Sequence, residues 1–286
     1  PAGWTAVPDY YNSTTEYSDG SSYYRSPFEG CTSLKEIVVD EGVTSIPKYA
    51  FRYQTSLESV DLPESLTNIG NYAFDGCTGL KSIDIPGRVE RISSYAFGGC
   101  TGLKTVTLDE GVKTIGSYAF YGCTGINTLN LSETLEVIES YAFYGNTGLV
   151  RLDLPGSLKS IGSYAFENCN GLTEVNFNEG LTTIGTNAFQ NCRGLKSIEI
   201  PESITYINGY AFSGCSGLTE VKLPEGLTTI YSYAFENCTN LESIEIPDSV
   251  TTISGRAFYK CTNLSEVGYP AGWTAVPDYY NSTTEY

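Results

Sequence analysis

The chain has 286 residues, and its 33 acidic residues outnumber 16 basic ones to give a formal net charge of −17. A field of that sign repels nucleic acid and anionic membranes, so both are excluded as partners. No apolar run approaches the roughly 18 residues of a membrane-spanning helix, so membrane insertion is not predicted.

The chain begins with PAGWTAVPDYYNSTTEY, residues 1–17, and the same seventeen residues return at 270–286. Tyr combined with Ser, Gly and Asn is the composition of antibody-like contact loops, whose rigid rings supply contact area at low entropic cost. Residues 8–27 have this composition, and we predict an insertion loop that binds through Tyr10, Tyr11, Tyr17, Tyr23, Tyr24 and Arg25. A tolerated surface loop or a disordered spacer is the alternative, although five aromatic side chains oppose disorder.

From Phe28 onward the chain follows a 23-residue period. With Leu80 counted as position 1 of a repeat unit, or coil, positions 1, 4, 6, 10, 13, 17, 18 and 21 are apolar or small. A short fixed period of this kind predicts a solenoid rather than a globular core. The Phe residues at position 18 lie 23 residues apart without a slip: Phe28, Phe51, Phe74, Phe97, Phe120, Phe143, Phe166, Phe189, Phe212, Phe235 and Phe258.

Each coil contains its own sequence of local signals. Positions 4 to 6, such as Ile83 and Ile85, alternate apolar and polar residues, which predicts a short half-buried strand. Pro at position 7 of seven coils ends that strand, because Pro lacks an N–H group. Positions 10 and 13 form a second apolar edge. A polar residue near position 15 is a candidate cap for a short helical turn over Tyr-Ala-Phe, and Gly99 or Asn168 at position 20 can end it in the left-handed conformation.

One coil alone buries too little apolar surface to offset the entropy of ordering its backbone. Stacked coils bury both flat faces of each unit, so the array is the stable structure. The sequence therefore predicts an α/β fold, a single solenoid over residues 1–286. It has about eleven 23-residue coils, each with one short strand and one short helical turn.

The segment CTNLESIEIPDSVTTISGRAF, residues 238–258, and its copies share the pattern C-x-x-L-x-x-I-x-I-P-x-x-V-x-x-I-x-x-x-A-F. This pattern resembles the BspA-like class of leucine-rich repeats over essentially the whole chain. The resemblance implies a right-handed, curved α/β solenoid. Proteins similar to these are typically secreted or on the cell surface, and several are adhesins for host matrix proteins or other cells. The family has no shared catalytic residues.

All nine cysteines stand at position 21 of their coils. The chain contains no Cys-x-x-Cys pair and no His, so zinc, redox and thiol-catalytic sites are not predicted. We expect a column of buried, inert thiols, and no cofactor. The column consists of Cys31, Cys77, Cys100, Cys123, Cys169, Cys192, Cys215, Cys238 and Cys261.

Two surfaces follow from the repeat. Tyr before the Ala-Phe pair predicts a stacked stripe with hydroxyls toward water, and such regular repetition favours packing over local recognition. The outward strand positions 3 and 5 carry no aromatic side chain, which makes that face a poor protein interface. On it, Asp61 and Asp84 are expected about 4.8 Å apart on neighbouring strands. A weak Ca²⁺ site or a glycosidase-like carboxylate pair is the alternative there to ordinary solvated surface, which we favour because no further ligands accompany the pair.

Eleven coils of 23 residues and a sixteen-residue insertion account for the 269 residues that separate the two copies of the 17-mer. Because the copies are in phase with the solenoid, residues 270–286 are interpreted as the start of a second 269-residue super-repeat. Deliberate duplication is the alternative.

These observations predict a non-enzymatic, extracellular or cell-surface binding or adhesion module whose partner is a protein or a cell-surface ligand. The alternative is a structural unit of a long repeat array or an end-to-end filament, in which flat end faces self-associate. The chain has no nucleophile motif and no phosphate-binding Gly loop, and these absences oppose an enzyme.

Overall fold

The computed structural model describes residues 15–16, 22–23 and 26–268, and this part of the chain contains strands and turns but no helix. The first element is a two-residue antiparallel pair, β1 (Thr15–Glu16) and β2 (Ser22–Tyr23), with Thr15 opposite Tyr23. From residue 26 the chain winds into a stack of about ten coils. Each complete coil contributes one strand to each of two series.

The first series, at positions 3 to 6, contains β3 (Glu36–Val38), β5 (Ser59–Asp61), β7 (Ser82–Ile85), β9 (Thr105–Leu108), β11 (Thr128–Asn130), β13 (Arg151–Asp153), β15 (Glu174–Asn176), β17 (Ser197–Glu199), β19 (Glu220–Lys222), β21 (Ser243–Glu245) and β23 (Glu266–Gly268). The second series, at positions 12 and 13, contains β4 (Ser45–Ile46), β6 (Asn68–Ile69), β8 (Arg91–Ile92), β10 (Thr114–Ile115), β12 (Val137–Ile138), β14 (Ser160–Ile161), β16 (Thr183–Ile184), β18 (Tyr206–Ile207), β20 (Thr229–Ile230) and β22 (Thr252–Ile253).

Both series pair in parallel, with each residue opposite its counterpart one coil further on. Ile83 of β7, for example, lies opposite Val106 of β9. The second series forms a seven-stranded sheet from β4 to β16 and a three-stranded sheet from β18 to β22, whereas the first divides into groups of two or three strands. The predicted strand is confirmed. The sequence pattern showed the second strand only as an apolar edge.

The centre of the stack is a column of Phe rings. The eleven rings at position 18 form consecutive stacked pairs whose centroids lie 5.2–5.6 Å apart. The rings from Phe74 to Phe235 are fully buried, and aliphatic side chains at positions 1, 4, 10 and 13 pack around them. Each ring from Phe51 to Phe235 therefore stacks on one ring from the coil before it and one from the coil after it.

The predicted helical turn over Tyr-Ala-Phe is wrong. The Tyr residues at position 16 have φ values of 55–62°, a left-handed conformation that a right-handed helix cannot contain. The N–H groups of Tyr72, Phe74 and Gly76 donate to carbonyl oxygens of the next coil, while the N–H groups between them donate three residues back. A helix would keep all of these donors within its own backbone. The chain is therefore a parallel β-solenoid rather than an α/β structure.

Replacing a ring in the middle of the column tests how much the stack depends on it. We expect Phe143→Ala to lower the free energy of unfolding by about 3–5 kcal/mol, because a fully buried ring leaves a cavity between two others. Phe28→Ala is the matched control, since Phe28 is only partly buried at the first described coil. Equal losses in urea denaturation of the two variants would contradict the importance of two-sided stacking.

Candidate functional site

A column of Tyr rings runs along the stack beside the Phe column and contains Tyr49, Tyr72, Tyr95, Tyr118, Tyr141 and Tyr164. Neighbouring ring centroids lie 4.5–5.1 Å apart, with planes within 13° of parallel. The rings cover one another's faces, so the solvent-exposed parts are their edges and hydroxyls. Each Tyr of the column is partly exposed. The predicted stacked stripe is confirmed.

Two further rings widen this stripe. Tyr121 and Tyr144 stack on each other at 5.0 Å and lean against Tyr118 and Tyr141 at 5.8 and 5.9 Å. The sequence analysis missed this second column, although Tyr directly after Ala-Phe in two consecutive coils is a readable signal. We call the six-ring column together with Tyr53, Tyr121 and Tyr144 the tyrosine face.

Arg52 adds a cation to the first coils of the tyrosine face. Its guanidinium carbon lies 4.5 Å from the centroid of the Tyr53 ring and 5.2 Å from that of Tyr72. Its Nε donates to Asp75 Oδ2 at 2.8 Å, and its Nη2 donates to the Tyr53 hydroxyl at 2.8 Å. Burial raises the pKa of the Asp75 carboxyl, and Arg52 opposes that shift. Tyr and Arg held in fixed positions are the side chains that dominate protein-binding hot spots.

The insertion meets the stack at one end of the tyrosine face. Ser26 stands at position 16, where the next coil has Tyr49, and its hydroxyl donates to the carbonyl oxygen of Ala50 at 2.7 Å. Of the predicted contact residues, Tyr23 belongs to β2. The others lie outside the described residues: Tyr10, Tyr11, Tyr17, Tyr24 and Arg25.

The outward face of the first strand series is ionic. Arg151 donates to Asp153 and to Glu174 at 2.7 Å each, and Lys222 pairs with Glu199 across β17 and β19. These side chains are largely exposed, so such pairs contribute little stability. The described part of this face carries paired charges and no aromatic anchor, which agrees with its poor ranking as an interface.

Asp61 and Asp84 lie on strands of different sheets. Asp61 is opposite Val38 in the β3–β5 pair, and Asp84 is opposite Thr107 in the β7–β9 pair, so the ladder is interrupted between the two carboxylates. Residues 26–268 contain no cluster of three Asp, Glu or Cys side chains suited to a metal ion. A weak Ca²⁺ site or a glycosidase-like carboxylate pair stays the alternative to ordinary solvated surface, which remains the prediction.

A groove of about 540 Å³ opens between β19 and β21, where the first series is unpaired. Glu225 and Glu245 line it together with Lys222, whose ammonium already pairs with Glu199. The lining residues, all from the described coils, include no aromatic ring. The groove thus offers mixed charge but none of the rigid anchors of the tyrosine face.

Position 21 supplies a hydrogen-bond donor to the core. Eight of the cysteines donate from Sγ to the carbonyl oxygen of the Phe 26 residues earlier, at 3.0–3.4 Å. Two coils without Cys keep this bond through Gln54 Nε2 to Phe28 at 2.8 Å and Asn146 Nδ2 to Phe120 at 2.9 Å. The column therefore satisfies a buried carbonyl in each coil.

Burial makes most of these thiols unreactive. Seven cysteines are buried, and desolvation raises the pKa of thiols such as Cys169 and Cys215 to about 12. The predicted burial of the cysteine column is confirmed for these seven. Because the thiolate is the reactive form, the raised pKa values support the prediction that such thiols are inert. Cys31 is exposed instead, and Cys261 is partly exposed.

Two parallel strand series and a Phe column at a 23-residue period define a β-solenoid of the leucine-rich-repeat type. Six copies of the BspA type leucine rich repeat region match the sequence over residues 21–150, 67–196 and 182–284. The chain belongs to this family, whose repeats are typically non-enzymatic, protein-binding scaffolds.

Solved structures agree with this assignment. A leucine-rich repeat protein from Bacteroides ovatus is 31% identical, with a TM-score of 0.57 over 89% of this chain and 78% of its own. The T. pallidum leucine-rich repeat protein is 26% identical, with a TM-score of 0.53 over 68% of this chain and 81% of its own. The pneumococcal vaccine antigen PcpA is 21% identical and shares the fold, with a TM-score of 0.50 over 84% of this chain and 74% of its own.

Comparison with curated protein sequences gave no significant match. The described coils contain no helix with the length and apolar character needed to cross a bilayer.

Asn146 is the one described side chain with a buried atom that lacks a partner, because its Oδ1 accepts no hydrogen bond. We expect Asn146→Cys to raise the free energy of unfolding by about 1–3 kcal/mol, since a thiol keeps the donor and removes the orphaned carbonyl. Gln54→Cys is the control, because no such orphan exists there. Denaturation in which both variants gain equally, or in which Asn146→Cys loses stability, would contradict a cost from the orphaned Asn146 carbonyl.

Proposed function

We propose that the chain is a non-enzymatic binding or adhesion module that works outside the cell or on the cell surface. Its partner is a protein or a cell-surface ligand, and it needs no cofactor. The contact surface is the insertion of residues 8–27 together with the adjoining end of the tyrosine face.

The position of Ser26, the described residue near the end of the predicted insertion, is the observation that carries this proposal. Ser26 stands at position 16, the position of the Tyr column, one coil before Tyr49, and the Tyr-rich segment precedes it in the sequence. Tyr53 and Arg52 lie in the same coil as Tyr49. Tyr53 is 61% exposed, which leaves its ring available to a partner. The closeness of the Tyr-rich segment in the sequence to the end of the tyrosine face supports a contact surface that both segments share.

The chemistry favours a protein or glycoprotein over other ligands. Stacking hides the ring faces of the Tyr column, so a planar small molecule has little face to stack on, while a row of hydroxyls and ring edges suits polar protein surfaces. The net charge of −17 favours partners with basic patches. Membership of a family of binding scaffolds supports the same conclusion.

Binding to immobilised laminin, fibronectin and collagen, and to cultured epithelial cells, tests the proposal. We expect a variant with Tyr10, Tyr11, Tyr23 and Tyr24 replaced by Ser, and separately Tyr53→Ser, to lose at least tenfold in affinity, because aromatic anchors dominate interfaces. Tyr231→Ser is the matched control: it removes a 45% exposed Tyr outside the tyrosine face.

Wild-type affinity in the four-residue variant would remove the insertion from the account. Equal losses in the Tyr231→Ser control would show that the effect is not local. Absence of binding to every one of these surfaces would contradict an adhesion role.

A further inference from the structure

Two Tyr clusters along the stack each hold an Arg side chain of the protein itself. In the first, the Arg52 guanidinium carbon lies 4.5 Å from the ring centroid of Tyr53, which stands beside the Tyr column. It lies 5.2 Å from the centroid of Tyr72, a ring of the column. Arg52 also forms an ion pair with Asp75, at position 19 of the next coil. This cluster therefore combines a guanidinium with a column ring, a ring beside the column and a carboxylate at position 19.

The second cluster repeats this combination around Arg256. Its Nη1 donates to the hydroxyl of Tyr233, at position 16, with a distance of 2.9 Å. Its guanidinium carbon lies 5.3 Å from the ring centroid of Tyr259, which stands at position 19 beside the column. The Tyr233 hydroxyl raises the pKa of Arg256, and the charge of Glu236, at position 19 of the Tyr233 coil, acts in the same direction.

A third cluster, in the middle of the stack, has the rings and the carboxylate. Tyr144 stands at position 19 beside Tyr141 of the column, with ring centroids 5.9 Å apart. Glu167 occupies position 19 of the next coil, and its carbonyl oxygen accepts a hydrogen bond from Gly145 N–H at 2.8 Å. Tyr121, in the preceding coil, covers one face of Tyr144. The other face of Tyr144 is therefore on the side of Glu167.

The backbone places the carboxylates of the first and third clusters in equivalent positions. Tyr53 N–H donates to the carbonyl oxygen of Asp75 at 2.7 Å, in the same way as Gly145 N–H donates to that of Glu167. Arg52 opposes the rise that burial causes in the pKa of Asp75. At Glu167 burial alone raises the pKa of the carboxyl.

The third cluster differs from the other two because it contains no cation from the described coils. None of their ion pairs includes Glu167, whose side chain accepts a long hydrogen bond of 3.4 Å from Asn168. No described Lys or Arg lies over the rings of Tyr141 and Tyr144. A half-buried carboxylate thus stands next to a partly exposed ring without a positive charge between them.

We infer that Tyr141, Tyr144 and Glu167 bind an arginine side chain of the partner protein. The guanidinium lies against the uncovered face of Tyr144 and pairs with the Glu167 carboxylate. A planar guanidinium stacks on a ring and forms two parallel hydrogen bonds with a carboxylate, which an ammonium group does not. The net charge of −17 favours a basic partner. The inference rests on the proposed binding role, since it names a side chain that the partner presents.

Ligand-observed NMR with two short peptides at physiological ionic strength tests this site. One N-acetylated peptide carries a single Arg among Gly and Ser residues, and the other carries Lys instead. We expect saturation transfer from the protein to the Arg side chain, with a Kd about fivefold lower than that of the Lys peptide. Tyr144→Ser and Glu167→Gln should each raise the Kd of the Arg peptide about fivefold, because each removes one of the two contacts.

Two variants serve as matched controls and should leave the Kd of the Arg peptide unchanged. Glu136→Gln removes the same charge from an exposed Glu next to β12. Tyr231→Ser removes a 45% exposed ring outside the tyrosine face. Circular dichroism of every variant checks that the coils remain folded.

Equal Kd values for the two peptides, or an equal loss in Glu136→Gln, would show attraction by net charge alone and overturn the proposal. So would the absence of saturation transfer at millimolar peptide, or an unchanged Kd in Tyr144→Ser and Glu167→Gln. The peptide measurement is separate from binding to matrix proteins and cells. Failure of the peptide alone leaves the adhesion role in place, whereas peptide binding by a protein that binds none of those surfaces would contradict adhesion and keep the arginine site.

Discussion

The rest of the structure depends on the contact between one coil and the next. Each Phe ring from Phe51 to Phe235 lies between two others at 5.2–5.6 Å, and the paired strands have their partners 23 residues away. A single coil therefore has too few internal contacts to fold alone, and contacts with the neighbouring coils order it. This constraint explains why similar residue types recur at the inward positions, since an inward side chain packs against its counterparts in the neighbouring coils.

The same constraint decides the backbone of the turns. Alternate N–H groups around Tyr-Ala-Phe bond to the next coil, which requires Tyr at a φ near 60°. That conformation costs a bulky residue about 1–3 kcal/mol, and the stacked Tyr rings and added inter-coil hydrogen bonds offset it. The tyrosine face is therefore first a consequence of packing. We propose that it also serves as a contact surface next to Ser26, where the predicted insertion of residues 8–27 ends.

Much of this could be predicted from the sequence, because the 23-residue period, the alternating strand and the terminating Pro are local signals. The left-handed residues at position 20, Gly99 and Asn168, were predicted and are confirmed. The left-handed Tyr at position 16 was not predicted, because Tyr has no preference for that conformation. Asn187, which replaces Tyr at position 16 of its coil, was the available indication. The separation of Asp61 and Asp84 between sheets depends on how coils are spaced, which a single repeat does not encode. The Tyr121–Tyr144 pair could have been predicted, because both residues directly follow Ala-Phe in consecutive coils. The contact residues of the insertion stay a prediction.

Deleting one whole coil tests directly whether neighbour contacts carry the fold. Removing residues 149–171 joins position 23 of one coil to position 1 of another and preserves the columns. The shortened chain should remain folded, with the circular dichroism of a β-solenoid and a modestly lower free energy of unfolding. Removing residues 149–160, about half a coil, should disrupt it because the columns lose register. If the whole-coil deletion unfolds the chain as completely as the half-coil deletion, the order of each coil does not come from its neighbours, and the account is wrong.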